Sequence, residues 1–173
     1  MSPIAFVIVS GPPGSGKSTV AVSLAARLAL PLFAKDTIKE ALMDSLGAPT
    51  VEESRRLGAA AVGTLLALGR ENGCGVLESN WRASHSLDDL RALPGSVVEV
   101  FCDCDIEISR ARYAARASAR HPGHFDAPRV DDDSLWSGEA SQPVDGGWPV
   151  VRVDTSAPVD LDDLCGRIAA ASD

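Results

Sequence analysis

Long apolar runs are missing from this sequence. None exceeds the length of a strand, although 45% of the residues are hydrophobic, and a membrane-spanning helix is thereby excluded. Paired cysteine spacings are missing too. Cys74, Cys102, Cys104 and Cys165 do not make the two-plus-two pattern of a zinc site, and Cys102 and Cys104 read as small buried thiols on one face of a strand. There are three histidines and no third ligand to join His121 and His124, which read as hinge or surface residues. Positive charge is in short supply, with 16 Lys and Arg against 24 Asp and Glu and a net charge of −8. Such a balance argues against a general nucleic-acid-binding surface, which needs positive potential to hold phosphates. No internal repeat is visible. The chain runs almost at once into its first apolar stretch, leaving no room for a signal peptide, so the cytoplasm is the expected compartment. At 173 residues, a single domain spanning 1–173 is expected.

What is present begins with "SGPPGSGKSTVAVSLAARL", residues 10–28, directly after the apolar "IAFVIV". Gly11, Gly16, Lys17 and Ser18 satisfy the spacing G-x-x-x-x-G-K-[ST], and Gly14 and Ser15 lie inside it. Glycines let successive backbone N–H groups point inward at phosphate oxygens. Lys17 can reach β- and γ-phosphates, the Ser18 hydroxyl can ligate Mg²⁺, and Thr19 can add a hydroxyl near the α-phosphate. The setting agrees: a strand buried on both faces precedes the loop, and an amphipathic helix with its N-terminus toward the anion follows it. The pattern predicts a bound nucleoside triphosphate.

Five short apolar stretches, at 4–9, 31–34, 75–79, 97–102 and 149–153, alternate with helical ones at 17–29, 37–46, 51–71, 84–92, 105–120 and 159–171. This alternation predicts an α/β fold, a five-stranded parallel sheet with helices on both faces. Residues 121–149, rich in Pro, Gly and Asp, form a long connection that reads as a mobile cover.

Open α/β sheets bind ligands at the C-terminal ends of their strands, and three such ends carry chemistry here. After the second strand stands Asp36, placed either to accept a proton from an attacking hydroxyl or to cap the next helix. Thr37 and Glu40 form a T-x-x-E capping box of their own, which frees Asp36 for chemistry. Lys39 lies one turn on, to meet acceptor or transferred phosphate or simply to face solvent. The third strand ends in "VLESNW", where Glu78 is a candidate for holding a Mg²⁺-bound water. Asn80, Trp81 and Arg82 are candidate acceptor contacts, with Trp81 equally readable as a core aromatic. The helix at 105–120 places Arg112, Arg116 and Arg120 four apart on one side, a basic face in an acidic chain. Arginines there can neutralise charge on a phosphoryl group in transfer; otherwise they are a solvated face. Thr155, after the last strand, is placed near the nucleotide base or in a plain turn.

Together these elements resemble the small P-loop kinases: chloramphenicol phosphotransferase, zeta toxins and the kinase domain of polynucleotide kinase. The resemblance spans nearly the whole chain, with the phosphate loop as its specific part. It implies a P-loop NTPase fold with an arginine-bearing lid at about 105–148, a catalytic Asp36 after the second strand, and lid arginines Arg112 and Arg116 acting with Lys17. The D-x-x-R of the polynucleotide kinases stands here as Asp36 and Lys39, and the nucleoside-monophosphate kinase signature D-G-[FY]-P-R is missing, which disfavours a nucleotide acceptor. The expected activity is transfer of the γ-phosphoryl of ATP, with Mg²⁺, to a hydroxyl of a small molecule such as an antibiotic, a sugar or a related metabolite. The alternatives are a polynucleotide or nucleotide-sugar kinase and a non-kinase regulatory P-loop ATPase. The acidic balance of the chain points to a neutral or cationic acceptor.

Overall fold

The computed structural model describes residues 4–47 and 50–171. Its strands are β1 (Phe6–Ser10), β2 (Leu32–Ala34), β3 (Gly75–Glu78), β4 (Val97–Asp103) and β5 (Val150–Asp154). Its helices are α1 (Lys17–Leu28), α2 (Lys35–Leu46), α3 (Val51–Asn72), α4 (Ala83–Arg91), α5 (Ile106–Ala117) and α6 (Leu161–Ala171). The strands form one sheet in the order β2-β3-β1-β4-β5, with every pairing parallel. The α/β architecture expected from the alternation is the one observed.

The period-two pattern of β1 explains why both faces of the sheet are covered. Val7 and Val9 point into a core with Val20 and Leu24 of α1 and Leu164 and Ile168 of α6. Phe6 and Ile8 point the other way, against Leu65 and Leu66 of α3 and Leu90 of α4. A strand apolar on both faces needs a helix layer on each side. Because all strands run the same way, Ser10, Ala34, Glu78, Asp103 and Asp154 end at one edge. β1 has β3 on one side and β4 on the other, so the chain reverses direction across the sheet there, and a ligand crevice opens at that point.

Two local expectations are corrected. First, α2 begins at Lys35 rather than at 37, with Ala34 in the N-cap position and no side-chain cap. Thr37 and Glu40 therefore lie inside the helix and make no capping box, and Glu40 bonds to His124 instead. A working T-x-x-E cap sits one helix later, where Thr50 Oγ1 accepts from Glu53 N at the start of α3. Second, α5 ends at Ala117, so Arg120 leaves the helical line of Arg112 and Arg116. The connection at 121–149, read from the sequence as a mobile cover, makes specific bonds to the body of the fold. It contains four short 3₁₀ turns. Trp136 donates its Nε1–H to Pro13 O at 3.0 Å. Further on, the fully buried Glu99 carboxylate of β4 accepts from Val144 N, Asp145 N and Trp148 Nε1 as well as from Ser10 Oγ. One buried carboxylate thus ties the end of the cover to β1 and β4, and its four donors compensate the cost of burying it.

Among the described residues no helix is long and apolar enough to cross a membrane.

Candidate active site

The loop between β1 and α1 owes its shape to glycine. Gly11, Gly14 and Gly16 have φ of 139°, 78° and 83°, the left-handed region that side chains avoid. A Cβ on Gly14 would also collide with the Ser109 carbonyl of α5, so the loop and α5 touch backbone to backbone. Ser109 Oγ strengthens that contact by donating to Pro13 O at 2.7 Å. Lys17 is 6% exposed and folds its ammonium back onto Pro12 O at 2.8 Å. Burial lowers its pKa, while the Glu78 carboxylate works against that shift. Ser15 Oγ is buried with no hydrogen-bond partner, a polar atom left over inside a loop built of inward-facing donors.

From this loop a cavity of ≈ 150 Å³ reaches to the start of α2, to α5 and to the connection after it. Lys17, Ser18 and Thr19 line one end; Asp36, Lys39, Glu78, Asn80 and Arg116 line the rest. Asp36 stands in the first turn of α2 and does not cap it. Its carboxylate pairs with Lys35 at 2.9 Å and with Arg120 at 2.5 Å. Burial alone would raise its pKa, but the two cations prevail and hold it well below the usual carboxylate range. Glu78 goes the other way. Buried at the end of β3, it is pushed up by desolvation, with Lys17 opposing. Such a carboxylate gains from a cation placed beside it. Lys39 donates to Ser54 Oγ at 2.8 Å. Arg116 lies 5.6 Å from the Tyr113 ring centre, and its buried Nε has no partner.

A second, larger cavity of ≈ 460 Å³ opens on the other side of Gly16 and Thr19. Its walls are mainly apolar, from Val20, Ala157, Pro158, Val159 and Leu161, with Thr155 at the junction. Arg112 belongs here. It donates to Thr155 O at 2.8 Å and Ser156 O at 3.3 Å, bracing the loop after β5. Thr155 itself donates to Asp103 O.

The structure therefore brings together Lys17, Ser18, Asp36, Lys39, Glu78, Asn80 and Arg116, and separates others from them. Arg112, expected beside Arg116 at the transferred phosphoryl, points away because its guanidinium is held by the two carbonyls of the neighbouring loop. Trp81, expected against an acceptor, is 3% exposed within the core of Phe6, Ile8 and Leu65, its Nε1–H donated to Leu77 O. Arg82 is the residue before α4 and borders a separate small hollow. Three contributors to the cleft escaped sequence reasoning. His124, expected at a hinge or surface, is buried against Glu40 at 2.7 Å. Asp126 pairs with Arg120 at 2.7 Å, and Tyr113 forms part of the wall. All three line the same cavity as Asp36 from 77 to 90 residues further along the chain, and no spacing announces them. Among the described residues, no group of His, Cys, Asp and Glu is arranged to hold a metal by itself, and burial pushes the Cys102 thiol up to about 12.

The model of a family described as an AAA domain matches residues 6–133, most of the chain. The chain belongs to that family. Its fold is that of the small P-loop kinases. A "putative kinase" from Chloroflexus aurantiacus j-10-fl superposes with a TM-score of 0.84 at 30% identity, over 97% of this chain and 98% of that one. A sugar kinase from Janibacter sp. HTCC2649 gives a TM-score of 0.56 at 23% identity, over 97% and 94%. Shikimate kinase from Acinetobacter baumannii, solved in complex with shikimate, gives 0.53 at 15% identity, over 96% and 92%. The last two are similar in fold. No curated protein matches the sequence.

Proposed function

We propose that this AAA domain protein transfers the γ-phosphoryl group of ATP to a hydroxyl of a small molecule. The observation that carries the reading is the continuity of one cleft from the phosphate loop to Asp36. A regulatory ATPase needs no such chamber beside its phosphate loop, and a chamber this small favours a compact acceptor over a polynucleotide.

The residues divide the work by position. The inward backbone of residues 11–16 and the Lys17 ammonium hold the β- and γ-phosphates, releasing Lys17 from Pro12 O. The apolar cavity beside Thr155 suits the nucleoside, with Arg112 bracing its wall. Ser18 and Glu78 fit Mg²⁺: a hydroxyl and a buried carboxylate stabilised by a nearby cation, with phosphates and water completing the set. When bound, that ion neutralises charge on the phosphates. Arg116 is the arginine directed at the transferred group, having no carboxylate partner of its own among the described residues. Asp36 orients the acceptor hydroxyl. As the hydroxyl oxygen bonds to phosphorus, the bond to the β-phosphate oxygen breaks and the hydroxyl proton passes toward the Asp36 carboxylate. Asn80 borders the same space and can hydrogen-bond the acceptor.

The test is a search for product. Purified protein, ATP labelled at the γ-phosphate and Mg²⁺ are incubated with a metabolite library, and labelled products are sought by mass spectrometry. A labelled phosphate ester, lost in Lys17→Ala, is expected. ATP bound and hydrolysed with no acceptor phosphorylated would sink the kinase reading in favour of an ATPase.

A further inference from the structure

The charge of the cleft is opposite to that of the chain. Six Lys and Arg side chains line it against three carboxylates, in a protein of net charge −8. Three of the six have a carboxylate partner. Lys35 pairs with Asp36; Arg120 pairs with Asp36 and Asp126; Arg129 pairs with Asp132. Lys17 and Arg116 are placed for the phosphates of the nucleotide. Lys39 is left. It is 6% exposed, and among the described residues no carboxylate forms an ion pair with it; its one bond goes to the Ser54 hydroxyl. Ser54 Oγ in turn donates to Gly123 O, which fixes the hydroxyl as an acceptor toward Lys39 and holds the ammonium in place. An ammonium has three donors, so two remain.

A buried cation without a counter-ion costs free energy in the empty protein, and the pKa of Lys39 records it. Burial lowers it to about 8, with Lys35 and Arg120 pushing the same way and Asp36 and Asp126 opposing at longer range. The group remains mostly charged near neutrality. A ligand that brings a negative charge to this corner relieves that cost, whereas a neutral ligand that displaces water from it increases the cost.

Resting on the kinase reading above, we infer that the acceptor is an anionic hydroxyl compound whose carboxylate or phosphate pairs with the Lys39 ammonium while its hydroxyl faces Asp36. This replaces the neutral or cationic acceptor suggested by overall composition, because a cleft responds to the charges lining it more than to the distant surface. Both anion types share the required chemistry, and the small chamber limits either to a compact molecule.

The experiment separates this inference from the kinase reading. The acceptor recovered from the metabolite library is weighed before and after transfer, which identifies its charged group as carboxylate or phosphate. Matched probes are assayed in parallel: D-gluconate against glucitol, glycerate against glycerol, and glucose 6-phosphate against glucose. The recovered acceptor should carry an anion before transfer, and any probe pair that turns over should favour its anionic member. Lys39→Met should raise the KM for the anionic acceptor by about tenfold or more, with a smaller change in kcat and none in ATP affinity. Lys39→Arg, which keeps the charge, should recover most of that loss, as it would not if Lys39 only propped up Ser54. A recovered acceptor without an anionic group, or an unchanged KM in folded Lys39→Met, overturns the inference and leaves the kinase standing. Bound ATP with no acceptor phosphorylated overturns the kinase reading and this inference with it.

Discussion

Asp36 is the residue at which catalysis and stability give different answers. It caps nothing, so Asp36→Asn keeps the helix start intact while removing a proton acceptor and one negative charge from between Lys35 and Arg120. General-base assistance is worth about 10²–10⁴-fold. The variant is expected to bind ATP within a few-fold of the parent and to lose transfer by roughly that factor. Single-turnover transfer and thermal melting decide it: full transfer with a lowered melting point would leave Asp36 as a structural ion pair. The depressed pKa of Asp36 fixes the sign of the pH dependence. A carboxylate held below its unfolded value stabilises the fold above that value, and the contribution fades as pH falls through the folded pKa. Transfer should therefore show no loss from Asp36 protonation anywhere from pH 5 upward. The ion pair with Arg120 also sets what an acceptor has to do, since its hydroxyl must share or displace that guanidinium to reach the carboxylate.

At the scale of elements, the sheet and its helices were readable because their signals are local: apolar runs, a glycine loop, and turns of helical period. The phosphate loop was readable for the same reason. Lid chemistry was less so. Arg112 and Arg116 are one helical turn apart and look equivalent in the sequence, yet the loop after β5 claims the first and the cleft the second. Arg120, just beyond the end of α5 at Ala117, bonds to Asp36, a contact between residues 84 apart that no spacing announces. Trp81 stayed open between core and ligand because an aromatic at the active edge of a sheet serves either equally well, and only packing, here in the core, decides. This division makes a pair of predictions. Arg116→Ala should lower kcat more than it raises the KM for ATP, since its target is the group in transfer. Arg112→Ala should do the reverse, raising the KM for ATP by loosening the Thr155–Ser156 carbonyls while kcat stays near the parent value. Steady-state kinetics with the same acceptor compare them directly, and matching profiles for the two variants would refute the partition.

On the scale of the whole molecule, the cleft lies between parts that are distant in sequence: the phosphate loop, the first turns of α2, the end of β3, α5 and residues 124–135 of the connection after it. Lys17 contacts the loop from β1, Glu78 closes β3, and Trp136 reaches from the cover to Pro13. A nucleotide that binds this cleft binds the folded chain and not the unfolded one, so its binding free energy adds to global stability. At a hundred times its dissociation constant, a ligand adds about 2.7 kcal/mol. For a chain of this length each 1 kcal/mol moves the melting temperature by about 2–4 °C, so ATP with Mg²⁺ should raise it by roughly 5–10 °C. Lys17→Ala should melt near the parent temperature without ligand, because burying that ammonium is itself costly, and should show little of the ligand-induced rise. A single-stranded oligonucleotide with a 5′-hydroxyl, offered at the same concentration and low salt, should give no shift and accept no phosphate. Outside the cleft an acidic chain of net charge −8 offers little to hold the further phosphates of a polymer, whereas a compact anion needs only the cations lining the cleft. Differential scanning calorimetry reads all three arms in one series. A rise with the oligonucleotide equal to that with ATP would show that a polyanion finds a surface the cleft alone does not provide, and would return the acceptor to the nucleic-acid class. An undiminished ATP-induced rise in Lys17→Ala would place the nucleotide somewhere other than the phosphate loop.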